Sequence, residues 1–219
     1  MKRLREEHDA IFDRDLETTV KMLREAPQKV GELEYTTAVI KEALRLYPVG
    51  FGIRQANERS VPSYIYATIS FISPTNSAIC RTGDVLEYKG KTYTTKGQMI
   101  LPVQHTMHYD ERLYPEPAKF KPERFLDPDT ITRSAWRPFS RGARACLGQT
   151  LAMEVMRVFL VLIARSFDFE CANVQPNPKP RVAFTDLDLR LGDLAFQELG
   201  LEAKPRGKVM MRVHRALRK

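Results

Sequence analysis

The sequence predicts a mainly α-helical domain with small β-sheets, which is the α+β class. Three observations support it: charged segments with apolar residues every three or four positions, one long segment that is apolar on nearly every side, and short alternating segments late in the chain. The chain has 219 residues, of which 43% are hydrophobic. This is enough to bury a sizeable core, so we expect one globular domain or part of a larger one.

Helices are predicted in three stretches. Residues 1–25 carry a stripe of apolar residues among charges, so we expect one amphipathic helix there. In residues 34–46 the apolar positions step by three and four, and Pro48 ends the pattern. Residues 147–167 are apolar on nearly every side, which is typical of a helix buried in a larger body.

Strands are predicted on either side of the long helix. Residues 84–103 alternate apolar and polar positions around "KGK", which indicates a hairpin, and residues 181–215 contain further strand-like segments. The segment 60–82 is set apart by composition, because no charged residue occurs between Arg59 and Arg81 in a chain that is 28% charged. We therefore expect 60–82 to be an insertion without a packing partner, either genuine or translated from an intron.

Composition also limits the class of protein. No stretch combines eighteen apolar residues, and the first ten residues are charged, so the sequence favours a cytoplasmic chain without a membrane segment. The net charge of +8 arises from 35 basic residues interspersed with 27 acidic ones, so we do not expect nucleic-acid binding. Three cysteines, Cys80, Cys146 and Cys171, are too few and too scattered for a disulfide framework or paired zinc ligands.

One of these cysteines lies in the segment "FSRGARACLG", residues 139–148. Gly142 and Gly148 allow tight turning, Arg144 supplies a nearby cation, and a helix that starts just after Cys146 would stabilise negative charge on its sulfur. These features suit a thiolate that binds a metal. Taken alone, however, a free cysteine is more often a small buried hydrophobe, and this alternative stays open.

The loop resembles a known family at every fixed position. Phe139, Gly142, Arg144, Cys146 and Gly148 match F-x-x-G-x-R-x-C-x-G, the haem-binding loop of the cytochromes P450. A chance match in a chain of this composition is on the order of 10⁻⁴ or less. The resemblance implies that Cys146 is the thiolate ligand of haem iron, with the other four residues around the cofactor.

Two upstream segments extend the resemblance. Glu42 and Arg45 in "KEALRLYP" match the E-x-x-R of the family, and Arg124 in "FKPERF" matches its P-E-R-F. Because Glu42 and Arg45 continue the apolar stripe of their helix, we expect them to be buried together. The resemblance implies that Arg124 completes a network with them that supports the cysteine loop. The alternative is an exposed ion pair of about 0.3–0.5 kcal/mol. Arg54 would face a haem propionate together with Arg144, and His108 would be structural.

The resemblance implies a C-terminal portion of the P450 fold, without the N-terminal region and the central long helix that carries the oxygen-activating residues. It implies a haem-thiolate monooxygenase of fungal type, with haem b as cofactor, an NADPH-dependent flavoprotein reductase as partner and a small organic substrate from secondary metabolism. Full-length relatives are anchored on the cytosolic face of the endoplasmic reticulum. Without the central long helix no catalytic residue is identified, so we expect the 219-residue chain alone to be inactive. A truncated, inactive haem-binding remnant or a mis-annotated gene product is therefore a second hypothesis, and a basic interaction module without haem is a third.

Overall fold

A computed structural model describes residues 1–50, 54–55, 67–68, 85–94, 99–101, 103–127, 129, 131, 134–142, 145–174, 190, 197–199, 203–205 and 209–216. The α-helices in these ranges are α1 (Lys2–Ile11), α2 (Leu16–Glu25), α3 (Glu34–Leu46), α4 (Gln104–His108) and α5 (Gln149–Ala164). The strands are β1 (Arg54–Gln55), β2 (Ala67–Thr68), β3 (Val85–Tyr88), β4 (Lys91–Thr94), β5 (Met99–Leu101), β6 (Phe167–Cys171), β7 (Gln197–Leu199), β8 (Ala203–Pro205) and β9 (Met211–Arg215). Short 3₁₀ helices cover Pro27–Glu32 and Pro122–Phe125. Helices with four small sheets confirm the predicted class.

The first 25 residues form two helices where the apolar stripe predicted one. The chain leaves helical geometry at Phe12, whose φ and ψ are −118° and 152°. Asp15 then caps α2, because its carboxylate accepts a hydrogen bond from the Thr18 amide at 2.8 Å, and the Asp13 carboxylate accepts from the Asp15 amide at 2.7 Å. Aspartates that bind nearby amides compete with helix formation, so the single-helix prediction was wrong at this point.

Helix α3 has no capping side chain of its own and receives its cap from α1. The Glu7 carboxylate accepts hydrogen bonds from the backbone amides of Tyr35 and Thr36 at 2.5 and 2.8 Å, and from the Thr36 hydroxyl at 2.6 Å. A carboxylate at this end of a helix satisfies free amides and complements the helix dipole. Glu7 therefore fixes the start of α3 relative to α1.

Replacing Glu7 with alanine should lower the free energy of unfolding by about 1–2 kcal/mol, because two helix amides lose their acceptor. Denaturant unfolding of the chain measures this change. Glu6→Ala is the matched control, since the Glu6 side chain is 62% exposed and its ion pair with Lys2, at 3.8 Å, lies at the surface. Equal losses in the two variants would show that the cap contributes nothing.

Helix α3 is the centre of the described structure. It packs against α1, α4, α5 and the 3₁₀ helix of residues 122–125. On one side lies an apolar cluster that joins α1, the 3₁₀ helix of residues 27–32 and α5, with buried members Phe12, Val30, Leu33 and Val161. A second cluster follows α4 and contains Tyr114, Ile131 and Ala135.

The strand region differs from one long hairpin over residues 84–103. Strands β3 and β4 form a hairpin closed by Lys89 and Gly90, both with positive φ, as a two-residue turn of this kind requires. Strand β5 instead pairs with β1 on one side and β2 on the other. Since β2 lies within the predicted insertion 60–82, two residues of that segment have a sheet partner; the rest of the insertion lies outside the described residues.

Helix α5 is shorter than the predicted 147–167, and Arg5 caps its carboxyl end. The Arg5 guanidinium donates to the carbonyls of Ala164 and Phe167 at 2.8 and 3.0 Å, and β6 follows immediately and pairs with β9. Strands β7, β8 and β9 fall within the predicted region 181–215, most of which before residue 197 lies outside the described ranges.

Within the described residues, α5 is buried along one side only, and its burial in a larger body stays a prediction. Met153, Val161 and Ala164 are buried, whereas Leu151, Val155 and Phe159 are 70%, 57% and 57% exposed. One side of α5 packs on α3, and the other presents an apolar stripe. Among the described residues, no helix combines the length and the hydrophobicity needed to cross a membrane.

Candidate functional site

The segment around Cys146 is a loop closed by backbone hydrogen bonds. The Cys146 amide donates to the Phe139 carbonyl at 2.9 Å, and the Ala145 amide donates to the Gly142 carbonyl at 3.0 Å. The second bond forms a tight turn inside the first. Cys146 is thereby held at the end of a closed loop, and its side chain is exposed.

The two glycines of this loop have different roles. Gly142 has φ of +78°, a left-handed conformation that side chains disfavour, so the turn itself requires glycine. Gly148 has φ of −83°, which any residue can adopt. A Cβ atom at Gly148 would lie 3.8 Å from the Cys146 sulfur. Its bare Cα therefore leaves the space beside the sulfur open.

Helix α5 begins directly after the sulfur. Gly148 is its N-cap residue, and the Gly148 carbonyl accepts the amide of Ala152 at 2.8 Å. The helix is 16 residues long, so the positive end of its dipole lies beside Cys146. The exposed Cys146 sulfur thus lies next to the amino end of α5.

Glu42 and Arg45 form a buried ion pair on α3. The Arg45 guanidinium donates from Nε to Glu42 Oε2 at 2.7 Å and from Nη2 to Glu42 Oε1 at 2.9 Å, a two-pronged geometry. Both side chains have no exposed surface. Arg124 joins the pair from the 3₁₀ helix of residues 122–125, with its Nε 3.2 Å from Glu42 Oε1.

This cluster contains two cations and one anion, so one positive charge has no carboxylate partner within it. Backbone carbonyls accept the remaining guanidinium donors. Arg45 donates to the carbonyls of His108 and Lys119 at 2.8 and 3.2 Å, and Arg124 donates to those of Pro115 and Glu116 at 2.9 and 3.3 Å. The network therefore fixes the backbone of residues 108–124 against α3.

Comparison with known proteins places these features in a family. The family model for cytochrome P450 matches residues 87–187. The cytochrome P450 monooxygenase PC-23 of Penicillium crustosum is 32% identical over 213 residues, an alignment that covers 96% of this chain and 90% of that protein. The chain belongs to the cytochrome P450 family.

Longer fungal P450 proteins are similar as well. The monooxygenase acrF of Aspergillus aculeatus is 31% identical over 231 residues, which cover 95% of this chain and 42% of acrF. The monooxygenase ptmG of Penicillium ochrochloron is 30% identical over 218 residues, which cover 98% of this chain and 34% of ptmG. This P450 chain thus spans less than half the length of two of these relatives and most of the third.

Two residues of this P450 chain that were predicted to bind the cofactor, Arg54 and Arg144, are described only in part or not at all. The backbone of Arg54 is in β1, opposite Ile100 of β5, and its side chain is outside the description. Arg144 is also outside the described residues. The structure brings Phe139, Gly142, Cys146 and Gly148 together in one loop, next to the start of α5.

Sequence reasoning missed Trp136, which connects the P450 cysteine loop to α3. The Trp136 indole donates to the Lys41 carbonyl at 2.9 Å, and its ring meets those of Phe125 and Phe139 edge-to-face at 6.2 and 5.9 Å. Phe139 therefore has a structural contact besides its place in the motif. The sequence feature that could have indicated this contact is that Trp136 is the single tryptophan of the sequence and lies ten residues before Cys146.

Proposed function

We propose that this chain is the haem-thiolate part of a monooxygenase that inserts one atom of dioxygen into an organic substrate, with Cys146 as the protein ligand of haem b. The observation that carries the proposal is the exposed Cys146 thiol at the amino end of α5, in a loop closed by the Phe139 carbonyl. Membership of the P450 family supports it.

The residues of the loop fit a flat cofactor that approaches the sulfur. Gly148 leaves the space beside Cys146 free of a side chain, and Gly142 forms the tight turn that precedes Cys146. When bound, haem supplies the iron that activates dioxygen, and a thiolate ligand donates electron density that favours cleavage of the O–O bond. The arginines Arg54 and Arg144 would pair with the propionates.

The remaining parts of the proposal rest on the fungal relatives. We infer that electrons come from an NADPH-dependent flavoprotein reductase and that the substrate is a small organic molecule of secondary metabolism. We also infer that the protein works at the cytosolic face of the endoplasmic reticulum. The three fungal relatives described above are named cytochrome P450 monooxygenases and come from Aspergillus and Penicillium.

The ligand assignment is tested by Cys146→Ala. The chain is reconstituted with haem, reduced and exposed to carbon monoxide, and its absorption spectrum is recorded. Wild-type protein should show the long-wavelength band of a thiolate-ligated haem, and Cys146→Ala should lose it completely, because no other side chain of the loop can supply a thiolate.

Cys171→Ala is the matched control. Cys171 is partly buried in β6 opposite Met211, at the far end of α5 from the loop, so its replacement should leave the band unchanged. A thiolate band that persists in Cys146→Ala would overturn the assignment. A wild-type chain that stays colourless and binds acidic partners in a salt-sensitive manner would instead support the basic interaction module.

A further inference from the structure

We propose that His108 is a positioning residue of the cysteine loop, whose ring nitrogen Nε2 holds the backbone amide of Arg137 and thereby fixes the loop relative to α3. This inference rests on the proposed function of Cys146 for its significance. Its geometry concerns the protein alone, so it can be tested without haem.

The His108 ring is a bridge between two backbone groups. The ring is fully buried at the end of α4, with Nδ1 3.0 Å from the Arg45 carbonyl oxygen and Nε2 3.1 Å from the Arg137 amide nitrogen. A carbonyl oxygen can only accept and an amide N–H can only donate. Nδ1 must therefore carry the proton and Nε2 must be the acceptor, which is a single neutral tautomer.

The bridge continues to the ligand through short backbone turns. The Arg137 carbonyl accepts the Ser140 amide at 3.0 Å, and Ser140 has a positive φ of 58°. The adjacent Phe139 carbonyl accepts the Cys146 amide at 2.9 Å. A shift of the Arg137 amide would thus displace the carbonyl that closes the loop at Cys146.

The surroundings keep the ring neutral. Burial is the main cause that lowers the pKa of His108 from 6.5 to about 4. The hydrogen bond with the Arg45 carbonyl acts in the opposite direction, whereas electrostatic interactions with Arg45, His105 and Arg137 add to the effect of burial. The Tyr114 ring packs edge-to-face on it at 6.0 Å. Nε2 therefore retains its lone pair for the Arg137 amide at neutral pH. A ring that served only to fill space would not need an acceptor at this atom.

Two variants separate the two hydrogen bonds. The amide group of asparagine lies near the position of Nδ1, so His108→Asn can still donate to the Arg45 carbonyl but leaves the Arg137 amide unpaired. The longer glutamine places its oxygen near the position of Nε2, so His108→Gln can still accept from Arg137. We expect the Arg137 amide to exchange with solvent deuterium about tenfold faster in His108→Asn than in His108→Gln, measured on the haem-free 219-residue chain.

The haem-loaded chain provides a second readout. His108→Gln should keep most of the thiolate band of the reduced carbon monoxide complex, whereas His108→Asn should shift it toward the band of a haem without thiolate. Equal exchange rates in the two variants, or faster exchange in His108→Gln, would overturn the proposal. Wild-type protein that retains haem but lacks the band would refute the function of Cys146 and leave the exchange result decisive for His108.

A measurement on unaltered protein covers the case in which the variants do not fold. Nitrogen-15 chemical shifts of the four histidine rings distinguish a protonated from an unprotonated ring nitrogen. We expect the His108 ring to show a protonated Nδ1 and an unprotonated Nε2 throughout pH 5–8. A protonated Nε2 in this range would overturn the proposal, because it could not accept from Arg137.

Discussion

Glu42→Ala should lower the free energy of unfolding by about 3–5 kcal/mol, the typical cost of leaving buried charges without their partner. The Glu42 carboxylate is the sole anion between Arg45 and Arg124 in the described network, and it also accepts the Lys121 amide at 2.9 Å. Without it, two buried guanidinium groups would face each other. A loss of this size is a large fraction of the stability of an ordinary domain.

Urea unfolding at neutral pH measures the effect, and Glu123→Ala is the matched control. Glu123 precedes Arg124 in the chain, but its side chain is 45% exposed and its contacts with Arg3 and Tyr35 lie at the surface. We expect this control to change stability by less than about 1 kcal/mol. Glu42→Ala with a stability equal to that of the control would show that the network is not required.

Acidification from pH 7 to pH 5 should destabilise the protein by about 3–4 kcal/mol through two buried histidines. The pKa values of His8 and His108 are each lowered from 6.5 to about 4, mainly because of burial. The unfolded chain therefore binds protons first as the pH falls below about 6.5. The stability that these groups provide is complete above that value and is lost as the pH falls toward 4.

The measurement is the free energy of unfolding at several pH values between 7 and 5. A protein in which both His8 and His108 are replaced by glutamine should show a much flatter dependence, since glutamine does not titrate. Burial also lowers the pKa of His105, so a small residual slope in the same direction is expected. Wild-type stability that is constant across this range would contradict the burial of both rings as neutral groups.

Local patterns in the sequence were sufficient for much of the fold. The apolar spacing of residues 34–46 corresponds to α3, and "KGK" marks the turn between β3 and β4. The break between α1 and α2 was missed because an apolar stripe says nothing about Asp13 and Asp15, whose side chains bind backbone amides instead.

Features that depend on distant partners could not be predicted in the same way. The cap that Glu7 provides for α3, and the end of α5 at Arg5, each join residues far apart in the sequence. For the candidate site, the cysteine-loop motif predicted Cys146, and the E-x-x-R motif predicted Glu42 and Arg45. The sequence predicted a structural role for His108, but it could not predict the bridge from α3 to the cysteine loop through His108 and Trp136, because this bridge uses backbone atoms as partners.

The long sequence distance between the members of the charged network has a consequence for biosynthesis. Glu42 and Arg124 are 82 residues apart, so at a typical rate of 5–20 residues per second the ribosome delivers Arg124 about 4–16 s after Glu42. During this interval Glu42 and Arg45 can pair with each other on α3, but their partners in residues 108–124 have not yet been made. The nascent helix must stay hydrated or be shielded by a chaperone, and the cysteine loop, which is made later still, can be shaped only after this step.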